Sequence, residues 1–318
     1  MYKNFKDLER AVDVLHEEGK LEDALNLLEK GLEDLPKEEY EDKYFSIMWN
    51  KNVLYTMSEK HDESYKSVEE VINKGYAFPL QFDRFKPLQE RDGYEELLKK
   101  NNKLMEELKE KSKVKYEVHL PENYDPKKKY PLFIGLHGDG ICNIEEFSQY
   151  WKPDIFLTNG FIFAYLQSSQ VICHNGYGWL NDTKLARQEI KECYEVISKK
   201  YSVDQDNTII GGFSGGAQTT LEIVMDNTIP IKGFIGLCAE EKTESFTKEN
   251  VKLAAERGVK GVLLEGELVL PMESEEEMMK EFDEFGIQYE YYVNKGVGHN
   301  PPEDFDEKLI KALNFIMN

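Results

Sequence analysis

This sequence has few cysteines, no excess of basic residues and no long apolar stretch. Its four cysteines form no C-x-x-C pair and show no metal-ligand spacing, which argues against a cysteine-based metal site or redox pair: Cys142, Cys173, Cys193 and Cys238. The chain carries 40 Lys and Arg residues against 61 Asp and Glu residues, a formal charge of −21. It therefore lacks the basic footprint that nucleic acids and anionic membranes require. No apolar run approaches the length of a membrane span.

The N-terminus, MYKNFKDLERAVDVLHEEGK, is charged throughout and does not resemble a signal peptide. With few cysteines as well, we expect a reduced, cytoplasmic protein with no nucleic-acid or membrane partner. Hydrophobic residues make up 40% of the 318 residues and aromatics 12%, which is the composition of a globular protein. The length suggests roughly two domains.

Residues 1–110 have the periodicity of consecutive amphipathic helices. LEDALNLLEKGLEDLP places Leu21, Ala24, Leu25, Leu28 and Leu32 on one stripe, and DESYKSVEEVINKGY repeats the pattern about forty residues later. EYEDKYFSIMWNKNVLYTMSEK supplies a third helix between them. Paired helices recurring every 34 residues or so are typical of tetratricopeptide arrays. We therefore predict a helical, tetratricopeptide-like domain over residues 1–110, with an ordinary helical bundle as the alternative.

Residues 111–318 follow a different pattern, in which short apolar runs alternate with stretches of helical length. After an edge-strand pattern in KVKYEVH, the predicted strands are PLFIGLHG, GFIFAYLQSS, NTIIGGFS, KGFIGLCA, KGVLLEGE and IQYEYYV. Continuous apolar strands between helices predict an α/β domain with a mostly parallel sheet covered on both faces. Such sheets bind ligands at the carboxyl ends of their strands.

The segment NTIIGGFSGGAQTTLEIVM carries the strongest chemical signal. An apolar strand ends in Gly212-Phe213-Ser214-Gly215-Gly216, and a helix-forming stretch follows at once. This is G-x-S-x-G in its required context, in which a tight turn exposes the serine hydroxyl above the sheet. The helix N-terminus that follows is aimed at developing negative charge. We predict that Ser214 is a nucleophile.

A second segment, LFIGLHGDGICN, runs from a strand into His137-Gly138-Asp139-Gly140. In serine hydrolases with this motif, one oxyanion donor is a backbone N–H of this loop and the other belongs to the residue after the nucleophile. The predicted donors are therefore Asp139 and Gly215, with Gly138 or Gly140 as alternatives to Asp139. We expect His137 to hydrogen-bond within the loop rather than to act as a base.

A third segment, KGVGHNPPEDF, follows the last predicted strand and contains His299, 85 residues after Ser214. A histidine on that loop lies at the same edge of the sheet as the serine, so it is predicted to be the general base. The other histidines, His16, His61, His119 and His174, do not follow the last strand.

These three segments, in the order Ser then His, resemble the α/β-hydrolase superfamily. YEVHLPENYDPKKKYPLFIGLHGDG is similar to the opening of its esterase and predicted-peptidase branch, which includes feruloyl-esterase and polyhydroxybutyrate-depolymerase types. LQSSQVICHNGYGWLND is similar to the segment after the fourth strand in that branch. The resemblance covers roughly residues 114–318, and its motifs are specific to fold and reaction class but not to substrate.

The sequence departs from this pattern at the acid. The superfamily usually has an Asp in G-x-x-D after the strand that precedes the histidine's strand, and here Val269 stands at that position. Glu267 is the nearest carboxylate and is the predicted acid. Glu240 and Glu241, after the preceding strand, are the alternatives, and the absence of any acid would mean weak or lost catalysis.

The sequence thus predicts a serine hydrolase that cleaves carboxylic esters through an acyl-enzyme, with thioesters or amides as alternatives. No metal or organic cofactor is implied. Tyr177 and Trp179 are predicted to border the substrate pocket. The helical domain could bind a protein or peptide partner. A different class of function is a protein-interaction module with a degenerate hydrolase domain.

Overall fold

The fold is described by a computed structural model, which covers residues 2–239, 241–269 and 273–318. The chain forms two units, described separately below. The helical unit comprises Met1–Lys111 and Val171–His174, and the sheet unit comprises Ser112–Gln170 and Asn175–Asn318.

The N-terminal segment of the helical unit is all helical, as the periodicity predicts. Its α-helices are α1 (Phe5–Glu17), α2 (Leu21–Glu33), α3 (Lys37–Asp42), α4 (Tyr44–Met57), α5 (His61–Asn73) and α6 (Tyr94–Lys111), with a 3₁₀ helix at Asp83–Glu90. In α2 the predicted stripe is buried at Ala24, Leu25 and Leu28, where it packs against α1 and α4. The likeness to tetratricopeptide arrays stays a prediction.

The strands lie in the order of the predicted apolar runs. They are β1 (Lys115–His119), β2 (Tyr130–Leu136), β3 (Ile162–Gln167), β4 (Val171–Cys173), β5 (Gly176–Tyr177), β6 (Val203–Phe213), β7 (Gly233–Leu237), β8 (Lys260–Gly266) and β9 (Gln288–Asn294). Seven of them form one sheet in the order β1-β3-β2-β6-β7-β8-β9. Within the described part of this sheet, the edge strand β1 is antiparallel to β3, and the other five neighbouring pairs are parallel.

Helices cover both faces of this sheet. They are α7 (Ile144–Ser148), α8 (Pro153–Thr158), α9 (Thr183–Lys200), α10 (Gly215–Asp226), α11 (Lys248–Glu256), α12 (Glu273–Phe285) and α13 (Phe305–Met317). Alternate residues of β2 point to opposite faces: Leu132 and Ile134 pack in the core shared with α9 to α12, whereas Phe133 packs in the core shared with α7, α8 and α13. This is the predicted α/β-hydrolase-like architecture.

The parallel register brings the ends of distant segments together. The loops after β2, β6, β8 and β9 all leave the sheet at its carboxyl edge. The three predicted chemical segments follow three of those strands. Within the part of the chain that the structure describes, no helix is both long enough and apolar enough to span a bilayer.

Candidate active site

Ser214 lies at the junction between β6, which ends at Phe213, and α10, which begins at Gly215. Its backbone has φ 53° and ψ −120°, a conformation that non-glycine residues rarely adopt and that costs about 1–3 kcal/mol. The Ser214 N–H donates to the carbonyl of Leu237 at 2.9 Å, so the turn stays tied to the neighbouring strand. The residue is half-buried. The strained turn holds the serine above the end of the sheet.

The glycines of the motif are explained by close backbone approaches. A Cβ atom at Gly212 would lie 2.5 Å from the carbonyl oxygen of Gly216. A Cβ atom at Gly216 would lie 2.3 Å from the carbonyl oxygen of His137. Real Cβ atoms do not approach backbone atoms so closely. Both positions therefore require glycine, which lets α10 begin directly beneath the loop of residues 137–140 (the HGDG loop).

His137 is fully buried, and both nitrogens of its ring contact backbone atoms. Its Nδ1 lies 2.7 Å from the Gly138 carbonyl oxygen, and the Ser168 N–H donates to its Nε2 at 3.2 Å. Burial lowers the pKa of His137 to about 4. The ring is therefore neutral near pH 7, with the proton on Nδ1, and supports the loop at the end of β2.

Asp139 and Gly215, the two predicted oxyanion donors, lie side by side. A Cβ atom at Gly215 would be 2.3 Å from the Asp139 Oδ1, so the carboxylate packs directly on this glycine. The carboxylate accepts the N–H groups of Trp179, at 2.8 Å, and Leu180, at 3.2 Å. Burial raises the pKa of Asp139 to about 6, although those two hydrogen bonds lower it. The structure thus places the start of α10 against the HGDG loop.

Gly140, one of the alternative donors, has its N–H engaged elsewhere. It donates to the Tyr177 carbonyl oxygen at 3.1 Å, and the Tyr177 N–H donates to the Cys142 carbonyl oxygen at 3.0 Å. Because its N–H is already paired, Gly140 fits the predicted role of oxyanion donor less well than Asp139 does.

His299 lies on the loop after β9 and is half-buried. Its ring packs on Phe213, the residue before the serine, with ring centroids 5.0 Å apart. Ser214 and His299 were predicted to lie at the same edge of the sheet, and the ring contact brings the histidine next to the residue that precedes Ser214.

The candidate acids lie at two strand ends. Glu267 begins a 3₁₀ turn directly after β8, and its carboxylate accepts the Gly296 N–H, on the histidine loop, at 2.9 Å. It is exposed, as is Glu241. Glu240 lies outside the described residues.

Glu265, near the end of β8, is a further carboxylate at this edge of the sheet. It is 1% exposed, and its Oε1 accepts the Ala239 N–H, after β7, at 2.8 Å. The Asn294 amide, at the end of β9, donates to the Glu265 carbonyl oxygen at 2.9 Å. These bonds join the ends of three neighbouring strands beneath the candidate site.

Trp179 was predicted to border the substrate pocket, and the structure shows it fully buried. Its indole N–H donates to the His137 carbonyl oxygen at 2.9 Å, and its ring lies 5.0 Å from the His137 ring. In this arrangement the indole supports the HGDG loop from below. Tyr177 is half-buried at the end of β5, two residues before Trp179.

Further support comes from side chains for which the sequence offered no motif. The Glu189 carboxylate, on α9, accepts the Ser169 N–H at 3.2 Å and the Ser168 hydroxyl at 3.3 Å. The Gln170 amide donates to the Trp179 carbonyl oxygen at 3.2 Å. Only the fold brings these residues to the back of the HGDG loop, so spacing could not have identified them.

Comparisons with known proteins agree with the fold. A protein from Bacillus cereus ATCC 10987, described only as uncharacterized, has a solved structure with 23% identity that covers 98% of each chain, at a TM-score of 0.54. Esterase PE8 shares 20% identity over 64% of this chain and 99% of its own, at a TM-score of 0.51. A ferulic acid esterase shares 19% identity over 64% of this chain and 92% of its own, at 0.50.

No protein-family profile matches this sequence, and neither does any curated protein. The likeness to solved structures therefore establishes an α/β-hydrolase-like fold preceded by a helical region. Over residues 2–239, 241–269 and 273–318, no group of three or more His, Cys, Asp or Glu side chains is arranged to hold a metal ion.

Proposed function

We propose that this protein is a serine hydrolase that cleaves carboxylic esters through an acyl-enzyme. The observation that carries the proposal is the backbone of Ser214, held at φ 53° between a buried strand and the N-terminus of a 12-residue helix. A strained non-glycine conformation at a sheet edge is a marker of function, because the fold must offset its cost. The solved esterases of the same fold support the choice of substrate class.

In this proposal the Ser214 hydroxyl attacks the ester carbonyl and His299 takes its proton. The oxyanion that forms is bound by the N–H groups of Asp139 and Gly215, aided by the dipole of α10. Collapse of this tetrahedral intermediate expels the alcohol, which takes the proton from His299, and leaves Ser214 acylated. Water then attacks the acyl-enzyme by the same route and releases the acid.

Glu267 is the proposed acid that orients His299. Its support is positional: its carboxylate is hydrogen-bonded to the backbone of the histidine loop, three residues before His299. Tyr177, half-buried beside the HGDG loop, is the proposed substrate contact. Trp179 would then influence the substrate through the loop that it supports.

The proposal is tested by labelling and turnover. Purified protein should react with a fluorophosphonate probe at Ser214 and hydrolyse short-chain p-nitrophenyl esters. Ser214→Ala should abolish labelling and lower turnover about 10³-fold or more. Ser148→Ala is the matched control, since that hydroxyl only donates to the Glu145 carbonyl within its own helix.

The second candidate is an interaction module whose hydrolase unit has decayed. It is favoured by one observation, the Val269 that replaces the usual Asp. Its helical unit would bind a protein or peptide. Slow or absent labelling of a correctly folded protein would favour this candidate, whereas rapid labelling at Ser214 would exclude it.

A further inference from the structure

The Asp139 side chain joins three parts of the candidate site. Its two oxygens accept the N–H groups of Trp179 and Leu180, and Oδ1 packs on Gly215 at the start of α10. The carboxylate therefore connects the HGDG loop, the 177–180 loop and the helix that follows the nucleophile. Neither accepted hydrogen bond involves the Asp139 backbone N–H that the proposed mechanism uses.

We infer that the ionised Asp139 carboxylate is a positioning group, which fixes the oxyanion N–H groups of Asp139 and Gly215 by holding the 177–180 loop. This inference rests on the proposed function. A carboxylate can accept from two N–H groups at once, whereas a neutral amide or acid must present one donor. The two hydrogen bonds seen here, one to each oxygen, therefore favour the charged form.

The position is costly for a carboxylate, which argues that the charge has a use. Burial raises the pKa of Asp139 to about 6. A negative charge beside an oxyanion hole also opposes the oxyanion, so a residue serving only to fill space would better be neutral. Carboxylates held in such surroundings are concentrated at functional sites.

Asp139 is the one carboxyl group of the HGDG loop, and other ionisable groups lie near it. His137, on the same loop, is neutral because burial lowers its pKa to about 4, and burial raises the pKa of Cys142 to about 12. Tyr177 lies on the facing loop, the start of α10 contributes glycines, and His299 lies beyond Phe213. Below about pH 6, protonation of Asp139 should release one of the two N–H groups.

The test compares Asp139→Asn with Asp182→Asn. Asp139→Asn keeps the backbone N–H but turns an amide donor toward Trp179 or Leu180. Asp182→Asn makes the same chemical change nearby, where the side chain only caps α9 at the Leu185 N–H, a role that Asn also performs. We expect Asp139→Asn to lower kcat by about 10- to 100-fold with little change in KM, and Asp182→Asn to match wild type.

The pH profile separates positioning from general damage. In wild type, kcat/KM should fall steeply below about pH 6, because protonation of Asp139 releases one of the two N–H groups. In Asp139→Asn this contribution is absent, so the acid limb should fall less steeply than in wild type. A kcat equal to or above that of wild type, or an unchanged acid limb, would overturn the inference while leaving the serine mechanism intact.

Hydrogen exchange tests the same inference without turnover. At pH 8 the Trp179 and Leu180 amides should be protected in wild type and in Asp182→Asn, and at least one should exchange about tenfold faster in Asp139→Asn. Equal protection in all three proteins would refute the positioning role whatever the activity. Failure of fluorophosphonate to label wild type would instead count against the proposed function.

Discussion

The buried Glu222 carboxylate, on α10, forms an ion pair with the partly buried Arg187 guanidinium, on α9. Glu222 lies eight residues after Ser214 on the helix that begins at the nucleophile, and it is 1% exposed. Its second oxygen accepts the Ser245 N–H at 3.0 Å, and the Ser245 hydroxyl donates to Oε1 at 2.7 Å. Although burial raises the pKa of Glu222, its hydrogen bonds and Arg187 hold it below the usual value.

Removing the Arg187 guanidinium should therefore lower the stability of the protein considerably. Arg187→Met leaves the Glu222 charge buried with hydrogen bonds alone, and we expect the free energy of unfolding to fall by about 3–5 kcal/mol. Denaturant unfolding measures this loss. Lys199→Met is the control, because it breaks an exposed pair with Glu195 that contributes about 1 kcal/mol or less. Similar losses in the two variants would show that burial of the pair does not matter.

Gly212→Ala should destabilise the elbow itself. Its Cβ would lie 2.5 Å from the Gly216 carbonyl, and relief requires α10 to move away from β6. We expect a loss of about 1–3 kcal/mol in unfolding free energy and a large loss of serine labelling, since Ser214 moves with the helix. Gly258→Ala is the comparison, because Gly258 has φ +73° but nothing within 4 Å of its Cβ position. It should cost about 1 kcal/mol and leave labelling unchanged, and equal labelling of the two variants would contradict the steric argument.

Glu267→Gln should depress kcat by up to about 10⁴-fold if Glu267 orients His299, with folding intact by circular dichroism. Glu240→Gln and Glu241→Gln make the same change after β7 and should have little effect. A collapse of kcat in either of those variants, with Glu267→Gln active, would move the acid to the end of β7.

The protein should lose stability in mild acid through His137. The pKa of this ring is lowered by burial to about 4, against about 6.5 in an unfolded chain. Between these pH values the unfolded state binds the extra proton, so the free energy of unfolding falls as pH falls. From pH 7.5 to 5.0 this amounts to about 2 kcal/mol.

His137→Gln isolates this effect, because its side-chain oxygen can accept the Ser168 N–H without titrating. We expect the variant to lose about 2 kcal/mol less than wild type over the same pH range in urea unfolding. Asp139 acts in the opposite direction, since its raised pKa makes the native state the better proton acceptor between about pH 4 and 6. The two proteins share that contribution, so it cancels in the comparison. Parallel pH curves would show that His137 is not buried as a neutral ring.

The sheet could be predicted because its strands are continuous apolar runs between helices, and all six such runs are strands in the structure. The helix boundaries in residues 1–110 were predicted less accurately. One predicted helix is divided at Lys43 into α3 and α4. The segment after Gly75 contains a 3₁₀ helix and the 18-residue α6.

Candidate site residues could be identified in the sequence where the local backbone demands a pattern. The glycines around Ser214 are such a pattern, because close approach of the backbone excludes any side chain there. Trp179 was interpreted as a pocket residue because sequence shows an aromatic in a loop but not the carbonyl, 42 positions away, that its indole N–H meets. The acid is hardest to predict for the same reason, since several glutamates follow strand ends and only tertiary geometry distinguishes them.

The order of the strands has a consequence for how the chain acquires its reactivity. Ser214 follows β6 and His299 follows β9, and the segments that connect β6 to β7, β7 to β8 and β8 to β9 are each much shorter than the segment between β2 and β6. Parallel pairs form only after the loops between them have closed, so the pairing of β2 with β6 is expected to be the slow one. A chain with β6 to β9 already paired would hold Ser214 and His299 at one edge of the sheet and still lack the HGDG loop, which follows β2. On refolding, ester turnover should therefore lag behind recovery of the far-ultraviolet circular dichroism signal, by the time that β2 needs to dock.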